Sequence, residues 1–380
     1  MSVARLAGLV GVTVWGTAVA LAGWERIRVP DAAADEPEYG AGTVCVVVPA
    51  RDEERAIGGT ICSLRAQSYD DIQVIVVDDG SSDRTAQVAR SAAADDPRVR
   101  VIAAGDVPAG WIGKSWACHR GARESDGPWL LFTDADIEYA PDAIARALGL
   151  ARRLGRGGVT LAPRIRTGSA AERAVMPAAI ALIHTLVAPG PLARSPRRRV
   201  GLAAGAFILM QRDLYQAAGG HGAVRDRMVD DLSLAVNVKR AGGLLVPANG
   251  TSLISLRMYH GAHEMWRGWR KNAAFGTEGS ASKGLAGGLM LGGVAVAPTC
   301  ALVRGGRRGD GTAVTLGAAG LMLQMLLQRS TGHIVPTRPA WAAAFPIGAL
   351  TISAAAVLGG IERHAGRGPA WRGRRYPFAR

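Results

Sequence analysis

Four apolar runs, "TVCVVVPA" (43–50), "DIQVIVVDDG" (71–80), "VRVIAA" (99–104) and "WLLFTDAD" (129–136), alternate with segments of helical character. The intervening helices are predicted over "RAIGGTICSLRAQ" (55–67), "SSDRTAQVARSAA" (81–93) and "KSWACHRGARES" (114–125), with another from Pro141. Near-continuous apolar strands are those buried on both faces of a parallel sheet. Their alternation with helices predicts an α/β, doubly wound sheet with its ligand crevice beyond the carboxyl ends of the strands. Three of the runs end in acids: "PARDEE" (49–54), "DDGSSD" (78–83) and "TDAD" (133–136). Unpaired carboxylates are too costly to bury, so all three turns are expected to open onto one edge of the sheet. Residues two apart in extended chain face one side. Asp134 and Asp136 are therefore expected to converge on one ligand, and close carboxylates suit a hard divalent cation. Taken alone, the same acids, with Glu138, would do no more than solvate a strand-to-helix loop in which "APD" (140–142) opens the next helix.

The remaining apolar residues are concentrated in 6–24, 285–303, 311–328 and 340–361. Each stretch approaches the roughly 20 residues needed to cross a bilayer. The organisation expected is an N-terminal membrane anchor (1–30), a soluble domain (43–275), a C-terminal membrane region (285–361) and a basic tail (362–380). "AVA" (18–20) resembles a signal-peptide cleavage site. The apolar region is longer than a usual signal core, however, and only Arg5 precedes it, so an uncleaved anchor is expected. The formal charge is +14, from 45 Lys and Arg, only four of them Lys, against 31 Asp and Glu. Such a balance suits nucleic acid, an anionic membrane surface or an anionic substrate. No zinc-finger spacing, helix-turn-helix pattern or basic-aromatic repeat accompanies it, which argues against nucleic acid and for the membrane. Cys45, Cys62, Cys118 and Cys300 are scattered, without the spacing of a disulfide framework or a zinc site.

In chain order, "VVVPARDEE" (46–54), "VIVVDDGSSD" (74–83), "FTDAD" (132–136) and "VDDLSLA" (229–235) resemble the motifs of the inverting GT-A glycosyltransferases of family 2. The resemblance covers roughly 43–275 and implies a GT-A fold, Rossmann-like, that binds a nucleotide-diphospho-sugar. "PAGWIGKSWA" (108–117), "FTDADI" (132–137) and "RMY" (257–259) look most like the hopene-associated and carotenoid-acid members.

The resemblance assigns expected roles residue by residue. Pro49, Ala50, Arg51 and Glu53 line one side of the nucleotide pocket, and one of Asp78 and Asp79 accepts a hydrogen bond from the base. Asp136 binds Mg²⁺ or Mn²⁺, with Asp134 beside the sugar or ribose and close to the same ion. "GWIGK" (110–114) opens a helix, a suitable place for anionic groups, and Lys114 matches a basic position expected to neutralise the diphosphate. Asp231 falls on the catalytic base. Asp230 stands where most relatives have Glu, one methylene shorter, and a neighbouring acid tends to raise a base's pKa. As helix residues, Leu232, Leu234 and Val236 are expected to pack inward or at an interface. "AAGAFILMQRDLYQAAGG" (203–220) resembles the strand, turn and helix framing the acceptor pocket. "HEMWRGWRKN" (263–272) departs from the processive Q-x-x-R-W motif, with Glu264 for Gln and Gly268 for Trp. Arg267, Trp269 and Arg270 are expected either to close over the nucleotide or to form an interfacial belt. His260 and His263 are read as ordinary.

The expected function is membrane-bound, inverting transfer of a sugar from an NDP-sugar to a lipid or isoprenoid acceptor, carotenoid or hopanoid in type, with the domain facing the cytoplasm from the cell membrane. Transfer to a polyprenyl phosphate, or a silent scaffold of the same fold, are the rivals. Residues 174–193, apolar and broken by Pro177 and Pro189, are followed by Arg194, Arg197, Arg198 and Arg199. An apolar segment beside a basic cluster is the two-part signal of a surface-lying element, so 174–199 is expected to meet the membrane surface, with a fully buried core helix as the alternative. The basic stretches 304–310 and 363–380 favour an even number of crossings after the enzyme domain. Residues 285–303 are accordingly expected to be re-entrant or interfacial, with 311–328 and 340–361 crossing as a hairpin.

Overall fold

Strands β1 (Val44–Ala50), β2 (Ile72–Asp78), β3 (Val99–Ala103) and β4 (Trp129–Phe132) form where the apolar runs predict them. They belong to a computed structural model that describes residues 1–187, 195, 201–276, 280–365, 370–371 and 374–375. All four strands run parallel in the order β3-β2-β1-β4. Helices α2 (Ile57–Arg65), α3 (Thr85–Ala93), α4 (Gly113–Arg123) and α5 (Ala143–Leu154) follow them in turn. Val44 to Val48 are fully buried, as a strand covered on both faces must be. From β1 the sheet is built outward in both directions, so the crevice between the carboxyl ends of β1 and β4 is the topological switch point where α/β sheets bind ligands.

The far half of the sheet is irregular. With β5 (Ile137–Tyr139), β6 (Gly157–Ala162), β7 (Arg164–Ile165), β8 (Ile208–Gln211), β9 (Leu244–Asn249) and β10 (Ile254–Leu256), the seven-stranded order is β3-β2-β1-β4-β8-β6-β9, and β5-β10-β7 forms a second sheet. Strand β8 is antiparallel to both β4 and β6, with Phe132 paired to Ile208. Its beginning, not its end, therefore lies at the functional edge, and the chain entering it comes alongside Asp134. Helices α7 (Arg212–Ala217) and α8 (Asp230–Arg240) follow β8. On α8 the buried apolar residues are Leu234, Ala235 and Val238, while Leu232 and Val236 are half-buried. Of the set expected inward or at an interface, Leu234 is fully buried. The set has strand spacing, and a 3.6-residue period adds Ala235 and Val238 to the inward face instead of Leu232 and Val236.

These elements make one compact unit, Val29–Ile165 with the stretch ending at Leu256. The other unit contains α1 (Val3–Arg28), α6 (Ala170–Leu182), α9 (Ala262–Gly276), α10 (Ala281–Arg308), α11 (Gly311–Ser330) and α12 (Phe345–His364). Val3–Arg28, Ala281–Arg308, Gly311–Ser330 and Pro339–His364 are long and apolar enough to cross a membrane. Residues 285–303, expected to be re-entrant or interfacial, show no re-entrant break: α10 is one continuous helix through Pro298. Proline leaves the carbonyl four residues earlier without its helical donor, and the Trp15 indole N–H supplies one to Val294 at 3.2 Å. One residue on, Gln324 Nε2 donates to the Ala295 carbonyl at 2.9 Å. Neighbouring side chains thus satisfy the break, as a membrane interior requires. Gly11 and Gly320 lie against the Pro298 ring, where a Cβ would stand 2.8 and 2.9 Å from its carbons.

Val175 to Leu182 of α6 are all buried within this unit, and Ala178, Ala181 and Leu182 share a cluster with Trp15, Leu327 and Phe345. The described part of the 174–199 segment is thus packed among helices. Pro189, Arg194 and the arginines at 197–199 lie outside the described residues, as does most of the basic tail. Glu172 anchors the start of α6. It accepts hydrogen bonds from Gly168 N, Ser169 Oγ, Gly261 N and the Arg257 guanidinium. The "RMY" string is structural in this setting. Arg257 binds Glu172, and the Tyr259 ring lies against the bare α-carbon of Gly268 and edge-on to Trp269 at 6.2 Å. A Trp at 268 has no room. Trp269 is buried, Arg270 pairs with Glu362 of α12, and Arg267 is exposed.

Candidate active site

The turns after β1 and β2 are laced together by hydrogen bonds. Asp52, at φ 52° in the left-handed region that Asp tolerates better than most residues, donates its N–H to Ser81 Oγ at 3.1 Å and accepts from Ser82 N at 2.7 Å. Glu54 N donates to Asp83 Oδ2, and Glu53 N to Thr85 Oγ1 at 2.7 Å. This lacing divides the two adjacent aspartates. Asp78 accepts from the Ser81 N–H and hydroxyl and so builds the turn. Asp79 is buried at the strand end, where Arg51 donates to its carbonyl and stands 4.0 Å from its carboxylate. Of the pair, Asp78 is the one committed to the turn.

Thr133, Asp134, Ala135 and Asp136 form a turn between β4 and β5 rather than extended chain. Thr60 Oγ1 of α2 pins it by donating to the Ala135 carbonyl at 2.8 Å, and Thr133 Oγ1 pins it to Ala206, also at 2.8 Å. Glu138 is exposed on β5. Asp136 is half-buried. Burial first, then the charges of Asp134 and Glu53, push its carboxyl up to about 7. Mg²⁺ and Mn²⁺ are typically held by one or two carboxylates, with substrate phosphates and water completing the sphere. Asp134 and Asp136, with Glu53 adding negative charge, fit that pattern. Among the described residues no group of three Asp, Glu, His or Cys side chains is poised to hold an ion unaided.

Lys114, near the start of α4, donates to Asp134 Oδ1 at 2.6 Å. Burial opposes its charge, but Asp134 and Asp230 outweigh this and hold it firmly protonated. On the other side, Asp231 Oδ2 accepts from Gly205 N at 3.1 Å and Oδ1 from Leu232 N at 2.8 Å. Gly205 is the point of convergence. A Cβ there would stand 3.2 Å from Lys114 Nζ, 3.4 Å from Asp231 Oδ2 and 3.7 Å from Asp134 Oδ2. Burial, then the neighbouring Asp230, raise the Asp231 carboxyl to about 6, and Asp230 is itself raised, chiefly by burial. A small pocket opens here, lined by Pro49, Lys114, Cys118, Thr133, Asp230 and Asp231 among others.

The structure therefore brings Lys114, Asp134, Asp230 and Asp231 together beside Pro49, and holds Arg51 and Asp79 in the laced turns of β1 and β2. Sequence reasoning missed Cys118 and His221 and did not single out Gly205 within the 203–220 stretch; all three line the same pocket. Gly205 and His221 come from the β8 region, whose antiparallel course is invisible in a local pattern. His260 bonds Glu264 within its own unit, through its backbone N–H at 2.9 Å.

A family model described as Glycosyl transferase family 2 matches residues 45–218. The chain is similar to the 4,4'-diaponeurosporenoate glycosyltransferase of Staphylococcus haemolyticus, 31% identical over 240 residues, 62% of this chain and 62% of that one. A Staphylococcus aureus enzyme of the same name is 28% identical over 242 residues, 63% of this chain and 62% of its own. The chain thus spans less than two thirds of these curated relatives. Among solved structures, a mannosyltransferase from Pyrobaculum calidifontis in complex with GDP-Man and Mn²⁺ aligns with a TM-score of 0.56 at 18% identity, covering 95% of this chain and 99% of that one. That likeness is one of fold. With its acid-tipped parallel strands, the chain carries a glycosyl transferase family 2 domain over residues 45–218, on a GT-A fold.

Proposed function

We propose that the protein transfers a sugar from a nucleotide-diphospho-sugar to the hydroxyl of an apolar, isoprenoid-like acceptor, with inversion, at the cytoplasmic face of the cell membrane. The observation that carries this reading is the meeting of Lys114, Asp134 and Asp231 around Gly205. The carboxylate of Asp231 takes the acceptor's proton as its oxygen attacks the anomeric carbon. The bond from that carbon to the diphosphate breaks in the same displacement, and the nucleoside diphosphate leaves with the electron pair. Arg51 and Asp79 hold the nucleotide, and Lys114 exchanges its bond to Asp134 for one to the diphosphate. Asp136 and Asp134 would hold a divalent cation, which supplies Lewis-acid stabilisation of the leaving group. The carotenoid-acid name of the relatives and the apolar helices support a lipid-like acceptor.

Asp231 separates the acceptor classes. A hydroxyl must lose a proton, whereas a carboxylate or a polyprenyl phosphate arrives ionised. The relatives' name favours a carboxylate as the second reading. The full chain in liposomes, given UDP-glucose or GDP-mannose, should glycosylate an isoprenoid alcohol. Asp231→Asn should lower that rate roughly 10²-fold or more, the usual scale of base catalysis. A loss under about tenfold with an isoprenoid acid, beside a large loss with the alcohol, would identify the base by its substrate dependence. Undiminished transfer to the alcohol would sink the assignment.

A further inference from the structure

His221 is a buried histidine that the reaction above does not use. It lies in a short helical turn, His221–Val224, and its ring packs edge-on to Phe132 at 4.6 Å. The Tyr215 hydroxyl is also buried and accepts the backbone N–H of His221 at 3.0 Å. Its own proton is then free for His221 Nδ1, which stands 3.0 Å away. A nitrogen that accepts cannot also carry the proton of a neutral imidazole. Burial, then the nearby Lys114 and His119, keep this ring neutral by lowering its pKa to about 3. The one ring N–H is therefore on Nε2, and Nε2 faces Asp230 Oδ2 at 3.9 Å.

We propose that Tyr215 and His221 are positioning residues that fix Asp230, and through it the adjoining Asp231, by presenting a single neutral N–H to the carboxylate pair. This rests on the reading of Asp231 as the base. At 3.9 Å the contact is about 1 Å longer than a hydrogen bond, and bonds of this kind commonly tighten only in the substrate complex. A neutral donor suits the task. It orients Asp230 without cancelling the negative charge that helps keep the Asp231 carboxyl raised. The groups facing Asp231 are Asp230 on its own helix, Lys114 and Cys118 of α4, Asp134 of the turn after β4, and His221. None of the other side chains offers a neutral N–H, and the backbone N–H groups of Gly205 and Leu232 are taken up by Asp231.

The test uses the full chain in liposomes with UDP-glucose or GDP-mannose and geranylgeraniol, together with nitrogen-15 NMR of histidine-labelled protein. His221→Leu removes the N–H, while His221→Gln keeps an amide N–H near the position of Nε2. The Leu variant should lose about tenfold or more in kcat with donor KM within twofold. The acid limb of its kcat profile should move to higher pH, because the pair loses a donor that favours its ionised form. The Gln variant should recover to within about threefold of wild type. In the spectrum His221 should carry its proton on Nε2, and Tyr215→Phe should abolish that preference. Equal impairment of the Leu and Gln variants, an unmoved acid limb, or a proton on Nδ1 would overturn the proposal. Should neither donor turn over in the wild type, the functional reading fails, but the tautomer and its dependence on Tyr215 still decide the relay.

Discussion

Asp231 carries an expectation at the level of single residues. Its carboxyl is raised to about 6, by burial and then by Asp230, and a base works only when ionised. Turnover with an alcohol acceptor should therefore rise with pH through about 6 and flatten above it, which a kcat profile from pH 5 to 8 will show. An unchanged kcat at pH 5 would be inconsistent with this base. Lys114 is expected to act on binding instead. Bonds from a charged donor contribute about 1.5–3 kcal/mol, so Lys114→Ala should weaken donor affinity roughly 10–100-fold by calorimetry. Asp136→Ala should abolish stimulation by Mn²⁺ or Mg²⁺ while the protein still folds and reaches the membrane. Unaltered metal dependence would remove Asp136 from the ion. The residue scale also shows which of two adjacent acids builds the turn. Nothing in "DDGSSD" separates Asp78 from Asp79. Only the hydrogen bonds to Ser81 do, because they spend Asp78 on its own turn.

Among elements, α6 is held by a buried carboxylate. Arg257 and the donors of Gly168, Ser169 and Gly261 outweigh the burial that would raise Glu172, leaving its carboxyl lowered to about 2. A carboxyl lowered by folding contributes stability that is fully present above its ordinary value near 4.5 and is lost as pH falls toward 2. Breaking a buried ion pair by removing one partner costs on the order of 3 kcal/mol. Glu172→Gln should accordingly lower the unfolding temperature at pH 7, with the difference from wild type shrinking toward pH 3 in a thermal scan. A difference that does not change with pH would place the effect elsewhere. Helices α1, α10 and α11 depend on close approach instead. A Cβ at Gly317 would meet Leu302 N and the Pro298 carbonyl at 2.5 and 2.7 Å. Both obstacles are backbone, so Gly317→Leu should force the helices apart and abolish detergent-resistant folding, while the exposed Gly293, with nothing near its α-carbon, should tolerate Leu.

For the whole molecule, the order of packing along α10 decides the topology expected of the membrane unit. Its first half is lined by α12. Gly360 lies against Ala281 and Leu285, and Ser353 donates to the Gly288 carbonyl at 2.7 Å. Its second half is lined by α1 and α11, through Gly8 at Ala301 and Gly305 at Ala313. Helix α12 starts near Trp15, which is bonded at Val294 midway along α10, and runs back toward residue 281. By composition residues 339–364 suffice to span, yet these neighbours return the chain to the end where α10 began. The crossing hairpin should thus be α10 with α11, not α11 with α12, and residue 365 should lie on the same side as residue 281. Reporter fusions after 310 and 365 should give opposite readings, and matching readings would refute this. The sequence by itself determined the parallel half of the sheet, the acid-tipped edge and the apolar helices, because strand alternation, carboxylate desolvation and span length are properties of contiguous chain. Tertiary structure alone decided that β8 runs backwards to bring Gly205 to Asp134 and Asp231, that His221 faces Asp230, and that Pro298 leaves α10 unbroken. Each of those depends on a partner from a distant part of the chain, and no local pattern encodes which distant group will satisfy a given polar atom.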